Sequence, residues 1–435
     1  MKLSIGIFLI LLLTQSASGQ KQQFFQDSLP VYFDEIKTAE KNNTALWGRD
    51  LYGPILLVDP QSREVFANRP DSAGILKPAG NIYSGVLPGN INVANTSVNW
   101  SGVTWAMVML PLPQNKQNRI NLLAHELFHR AQPSLGFALS NVDNNHLDEK
   151  DGRIYLRLEL EALKKAVLCS SSKEQLQHLT NAMIFRKYRH IIYEGSDTTE
   201  NELELNEGVA EFTGVIVSCR NNTQVKSFFE TGINDFFSNS TFVRSFAYYT
   251  IPVYGYLLYA KNKNWNRKIS QQTNLTSYFI NAFQIHMPAD LKKAVDAIAT
   301  TYNGNVIIEE ETQREEKNKE LIASYRLKFI EQPHFEIGFQ KMNVSFDPRN
   351  IIPIKDQGTI YPNMRITDVW GILTVQNGAL MKSDWSGISI TNPARMEGNH
   401  ISGDGWTLEL TADYTVEKDR VNNNYKLVKK STQEK

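Results

Sequence analysis

Leu122-Leu-Ala-His-Glu-Leu-Phe-His-Arg-Ala-Gln132 decides how this chain is read. It contains His125-Glu126-Leu127-Phe128-His129, the H-E-x-x-H pattern. Residues four apart on a helix lie one turn above each other, so both imidazoles can reach one metal ion. Glu126 projects from the flank of that pair, where it can act as a general base on a water held by the metal. The setting favours a helix. Asn118 is expected to cap its start, Leu122, Leu123, Leu127 and Phe128 make it apolar and mostly buried, and Pro133 stops it after Gln132. On this motif alone the bland alternative, two unrelated histidines on one helix, stays open.

A catalytic zinc needs a third protein ligand and one open position. A third histidine at metzincin spacing is excluded, because Gln132 and Leu135 occupy the required Gly and His places. His146 and Asp148 lie in a polar run, 141–151, that carries nothing to hold it rigid. The remaining source is Leu203-Glu-Leu-Asn-Glu-Gly-Val-Ala-Glu-Phe-Thr-Gly214. If Glu207 binds the metal, Glu211 lies one turn further along the same helix face. There it can accept a hydrogen bond from a ligand histidine and fix its tautomer.

H-E-x-x-H followed downstream by Asn206-Glu207-Gly208-Val209-Ala210-Glu211-Phe212 resembles the gluzincin metallopeptidases, the thermolysin-like and aminopeptidase N-like enzymes. The resemblance covers these two helices well and the rest of the chain loosely. It implies His125, His129 and Glu207 as ligands of one zinc per chain, Glu126 as general base and Glu211 as the carboxylate behind a ligand histidine. It further implies a small sheet ahead of the H-E-x-x-H helix, with an edge strand along the cleft. Trp105 to Leu110 is the candidate for that strand, and an ordinary core strand is the alternative. A hydroxyl donor for the oxyanion is also implied. Tyr248 is the closest match to the family's Tyr-x-x-Gly, although Ile251 replaces the glycine; Tyr254, before Gly255, is second. Both could equally be packed aromatics, and His190 and His286 are further candidate donors. Two features depart from the family. The gap between His129 and Glu207 is far longer than usual, and no Gly-x-Met-Glu-Asn-type segment supplies a carboxylate for a substrate amine. The second departure favours an endopeptidase over an aminopeptidase.

The fold class expected is α+β in three parts. Residues 20–115 read as a β-rich subdomain of short strands and turns, 116–334 as a helical catalytic domain and 335–435 as a C-terminal all-β domain, a small sandwich. Two helices, Ile154 to Leu168 and one opened by the Ser171/Glu174 capping box, fill the long gap with ordered structure. The first carries Glu159 and Glu161, which point to different sides and read as solvated or salt-bridged, with a fallback ligand role for one of them. The Glu207 helix is expected from about Thr199 to Ser218, and the Lys-rich end from Lys426 is expected to fray.

Composition narrows the partners. Lys+Arg and Asp+Glu both number 46 and the isoelectric point is near 7.1. That balance argues against a nucleic-acid or anionic-membrane footprint. Met1 to Ser4, the apolar run Ile5 to Leu13 and the small residues Ala17-Ser18-Gly19 read as a cleavable signal peptide over 1–19, with no stable membrane insertion afterwards. A retained anchor is the alternative. An exported protein, periplasmic or secreted, could join its two cysteines, Cys169 and Cys219, in a disulfide. The function expected is zinc-dependent hydrolysis of peptide bonds in a peptide or protein substrate. The alternatives are an exported binding protein with a relict zinc site, and a zinc hydrolase of a non-peptide amide or ester.

Overall fold

The computed structural model describes residues 28–430 except 90, 141, 143, 347–350 and 355; the expected signal peptide lies outside the described residues. The fold mixes α and β, with a small N-terminal sheet, a helical middle and a C-terminal all-β region. The chain forms two compact units. The first takes the residues up to Asn144, Tyr155–Phe237 and Ser245–Ile298; the second takes Asn145–Ile154, Ser238–Arg244 and the chain from Ala299 onward.

The first unit corrects the expectation of strands alone ahead of residue 115. A helix, α1 (28–42), and a single turn, α2 (Thr44–Trp47), precede the sheet. Leu29, Phe33 and Ile36 are buried along α1, an i, i+4, i+7 stripe that is the ordinary signature of a helix packed on one side. The sheet follows: β1 (Ile55–Val58), β2 (Glu64–Ala67), β3 (Lys77–Ala79), β4 (Ile82–Val86), β5 (Thr96–Trp100) and β6 (Val103–Met109), in the order β3-β4-β2-β1-β6-β5. β6 runs parallel to β1 and antiparallel to β5. Trp105 to Leu110 is therefore not an edge. β5 covers its outer side, and Trp105 is fully buried with its indole N–H donated to the Trp100 carbonyl at 3.0 Å. The alternative of a core strand holds.

The helices of this unit are α3 (Lys116–Ala131), α4 (Lys150–Leu168, in this unit from Tyr155), α5 (Ser172–Ile192), α6 (Ser196–Leu203), α7 (Val209–Val217), α8 (Asn222–Phe236), α9 (Ala247–Tyr259), α10 (Leu275–Phe283) and α11 (Leu291–Ile298). α3 starts three residues earlier than expected. Asn115, not Asn118, is the cap, and its side chain accepts the backbone N–H of Asn118. Between α6 and α7 the chain makes one π-helical turn, Glu204–Gly208. Two glycines let these elements approach closely. A Cβ on Gly214 would sit 2.6 Å from the Asn121 carbonyl oxygen of α3, and one on Gly208 would sit 2.8 Å from Ile251 Cβ of α9. Only a residue without a side chain fits such contacts.

A fully buried ionic lattice ties α4, α5 and α6 to the π-helical turn. Arg186 pairs with Glu159 at 2.7 Å and with Glu204 at 2.6 Å, while Arg189 pairs with Glu159 at 2.9 Å and Glu200 at 2.6 Å. Glu159 is thus salt-bridged and not solvated, and Glu161 pairs with Lys164 at 2.7 Å. The two cysteines correct another expectation, because both are free thiols. Cys169 Sγ donates to the Ala166 carbonyl, whereas Cys219, in a left-handed conformation beyond α7, accepts from Asn43 Nδ2 at 3.5 Å.

The second unit contains α12 (Gly304–Arg326) and thirteen strands among its described residues, arranged in sheets of seven and six. Trp406, Leu408 and Leu410 face inward while Thr407 and Glu409 face out, the period of two expected of a half-buried strand. Phe335, Ile337, Ile388 and Ile390 of one sheet share a core with Ile366, Leu373, Val375 and Leu408 of the other, which makes this a sandwich. The segment from Lys426 does not fray at once: Tyr425–Lys429 is a strand paired with Tyr414–Lys418. The polar run near Asp148 is also held, since Asp148 accepts the Phe242 backbone N–H and pairs with Arg153, whose guanidinium lies on Glu311.

Candidate metal centre

His125 and His129 stand one turn apart on α3, and their Nε2 atoms approach to 3.0 Å. Oε2 of Glu207, in the π-helical turn, lies 3.5 Å from His125 Nε2 and 3.3 Å from His129 Nε2. Three candidate ligand atoms, all within 4.8 Å of one another, thus converge on one point. The remaining ring nitrogens face acceptors. His125 Nδ1 donates to Glu211 Oε2 at 3.0 Å, and His129 Nδ1 donates to Gln132 Oε1 at 2.8 Å. An acceptor there keeps a proton on Nδ1, so each Nε2 is the nitrogen left to offer a lone pair inward. Two imidazole nitrogens and a carboxylate oxygen form a donor set that suits zinc.

A ring of amides backs this cluster. Gln132 Nε2 donates to Asn206 Oδ1 at 2.8 Å, and Asn206 Nδ2 donates to Glu207 Oε1 at 3.0 Å and to the Ser140 carbonyl at 2.9 Å. On the other side Asn121 Nδ2 donates to Glu211 Oε1 at 2.8 Å and its Oδ1 accepts from Arg220 Nη1 at 2.8 Å. The sequence reading gave Gln132, Asn206, Asn121 and Arg220 no such part. Asn121 was within reach, since it precedes His125 by one turn on the same face. Gln132 follows His129 by three residues and was equally available. Nothing local points to Arg220, 99 positions from Asn121.

Glu126 and Tyr248 complete the group. The Glu126 carboxyl is buried, and its Oε2 has no hydrogen-bond partner among the described residues. Burial pushes its pKa up, against the opposing pull of His125 and His129. The Tyr248 hydroxyl donates to Glu207 Oε2 at 2.6 Å, and its ring stacks on His125 with centroids 5.4 Å apart. Burial and the neighbouring Glu207 charge raise this phenol, so it remains a donor. The other candidates go elsewhere. The Tyr254 hydroxyl donates to Glu159 inside the ionic lattice, His190 lies on Glu200 and His286 is exposed.

Burial alone would raise Glu207, but hydrogen bonds from His125 and His129 hold it well below the usual carboxylate range. Burial alone would lower His125, but Glu207 and Glu211 push it up to about 10. Without metal, His125 is then an imidazolium at neutral pH, and a metal must displace its Nε2 proton. Because the proton competes at every pH below about 10, the affinity of this site for a divalent metal, zinc being the probe, would rise about tenfold per pH unit through neutrality. Calorimetry at one pH in buffers of different ionisation heat reads this as roughly one proton released per zinc. An affinity flat with pH would refute it.

No protein-family model matches the chain, and no curated protein or solved structure matches it either.

Proposed function

We propose that this protein is an exported zinc-dependent metallopeptidase of gluzincin type, with His125, His129 and Glu207 holding the metal. The observation that carries the proposal is the buried Glu126 carboxyl, left with an unpartnered oxygen beside three converging ligand atoms. A purely structural metal has no use for a base there, and desolvating a carboxyl without a partner costs stability. Function is the reason to retain it.

When bound, zinc supplies a Lewis acid that makes water nucleophilic near neutral pH and polarises a carbonyl. Glu126 takes the proton of the attacking water and passes it to the leaving amine. Its raised pKa brings it closer to the working pH, which favours both transfers. Tyr248 turns its hydroxyl from Glu207 to the oxyanion as charge develops there. Glu211 and Gln132 hold the two histidines in the tautomer that leaves Nε2 free.

The test is elemental analysis of wild type and Glu207→Ala, followed by digestion of a mixed-peptide library. About one zinc in wild type, little in Glu207→Ala and cleavage by wild type alone is the expected result. Zinc retained by Glu207→Ala would reject the third ligand. Zinc without cleavage would favour a binding role or a substrate other than peptides.

A further inference from the structure

Beyond the ring of amides, where α3 and α8 begin, lies an open groove of about 610 Å³. Its walls include Gln117 and Asn118 of α3, Arg220, and Gln224, Thr231 and Asp235 of α8. Arg220 is the one cation of this lining. Its guanidinium is clamped but not neutralised. Nη1 donates to Asn121 Oδ1 at 2.8 Å and to Ser218 Oγ at 2.6 Å, Nη2 donates to Asn118 Oδ1 at 2.7 Å, and the plane lies 3.9 Å from the centre of the Phe228 ring. Every one of these partners is neutral, and no carboxylate pairs with Arg220 among the described residues. Burial pulls it down to about 10, with the charge of Glu211 in partial opposition.

The surroundings favour an anion further. The first turns of α3 and α8, capped by Asn115 and Asn221, both border the groove, and helix N-termini carry partial positive charge. A guanidinium has five N–H donors, and the three bonds above leave two for a ligand. Asp235 lies two turns beyond Phe228 on α8, about 10 Å away, which confines an incoming anion to the Arg220 end. Asn118 precedes His125 by two turns of α3, a rise of about 10 Å along the helix axis.

We propose that this groove is a specificity subsite for a carboxylate of the peptide substrate, an acidic side chain at one fixed position along the chain from the scissile bond, with Arg220 as its contact. The proposal rests on the peptidase reading and names the substrate feature that reading lacks. The carboxylate takes the two remaining guanidinium donors, a charge-assisted contact that a lysine point charge would not reproduce.

The test uses peptides of one sequence in which a single Glu or Gln is moved stepwise through the positions flanking the bond cleaved. Wild type is expected to prefer Glu over Gln by about tenfold in kcat/KM at one position and not at the others. Thr231→Glu, on the exposed face of α8, places a fixed negative charge in the groove. It should bring that ratio to about one or below, measured within the same variant. Arg220→Gln should do the same, with metal content checked because Arg220 also holds Asn121. A ratio near one at every position in wild type, or a ratio that survives Thr231→Glu, overturns the proposal. Should wild type cleave no peptide, the peptidase reading fails instead. Binding of fluorescently labelled Glu and Gln peptides to Glu126→Gln protein then decides the groove alone. Tighter binding of the Glu peptide, abolished by Thr231→Glu, supports it, and equal binding overturns it.

Discussion

Glu126→Gln is expected to lower kcat/KM by about 10²–10⁴-fold while leaving the metal content at its wild-type value. Glutamine keeps the size and shape of the side chain, so the neighbouring His125 and His129 stay where they are. It cannot take a proton. The size of the loss is that of a positioned general base, about 3–5 kcal/mol at 1.36 kcal/mol per tenfold. Stability should move little or rise. Glu126 is buried with its pKa pushed up by desolvation, so the neutral amide removes a charge that the folded state disfavours. Steady-state kinetics, zinc analysis and urea unfolding on one preparation report all three. A Glu126→Gln protein with wild-type turnover would end the proposed mechanism, and one that lost its zinc would make Glu126 a ligand.

Arg186→Met should cost about 3–5 kcal/mol of stability. Arg186 is fully buried and grips Glu204 with both terminal nitrogens, at 2.8 and 2.6 Å, while its Nε holds Glu159 at 2.7 Å. Methionine fills much of the space but leaves Glu204 a buried charge held only by the Thr250 hydroxyl. Glu159 keeps Arg189. Burial already pushes Glu204 upward against the pull of Arg186, so losing that pull raises it further. The effect should reach the proposed metal centre. Glu204 opens the π-helical turn that carries Glu207, and Thr250 sits two residues beyond Tyr248 on α9. Weaker zinc binding is expected even at temperatures where the variant is folded. Adding Glu204→Leu should restore part of the lost stability by removing the orphaned charge. Unfolding curves and zinc competition on the two variants measure this. Wild-type values for Arg186→Met in both would mean that the lattice does not position the turn.

What the sequence determined by itself is what lies within one element. Helix geometry alone puts His125 and His129 on one face with Glu126 at their flank, and it puts Glu211 one turn beyond Glu207. Period-two alternation marked Trp406–Leu410 and other strands of the sandwich. The helical period of Leu29, Phe33 and Ile36 is equally a local property of α1, although the stretch that follows is dominated by turn residues. Asn115 and Asn118 are equally good capping residues, and only the backbone path makes Asn115 the cap.

Tertiary packing decided everything that joins separate elements. Glu207 lies 78 positions beyond His129, and the Tyr248 hydroxyl reaches it from a further 41 positions along. No spacing rule spans such distances, because the route is set by how α3, the π-helical turn and α9 pack through Gly214 and Gly208. The interior place of β6 is likewise a property of the whole sheet, since a strand's own residues do not say which neighbour lies outside it. Cys169 and Cys219 are free thiols that meet different partners, the Ala166 carbonyl and Asn43. Arg220, brought to Asn121 from 99 positions away and left without an anion, has no local signature at all. Short-range periodicity is written into the chain by covalent geometry, whereas the meeting of distant side chains depends on the packed core that all the elements build together.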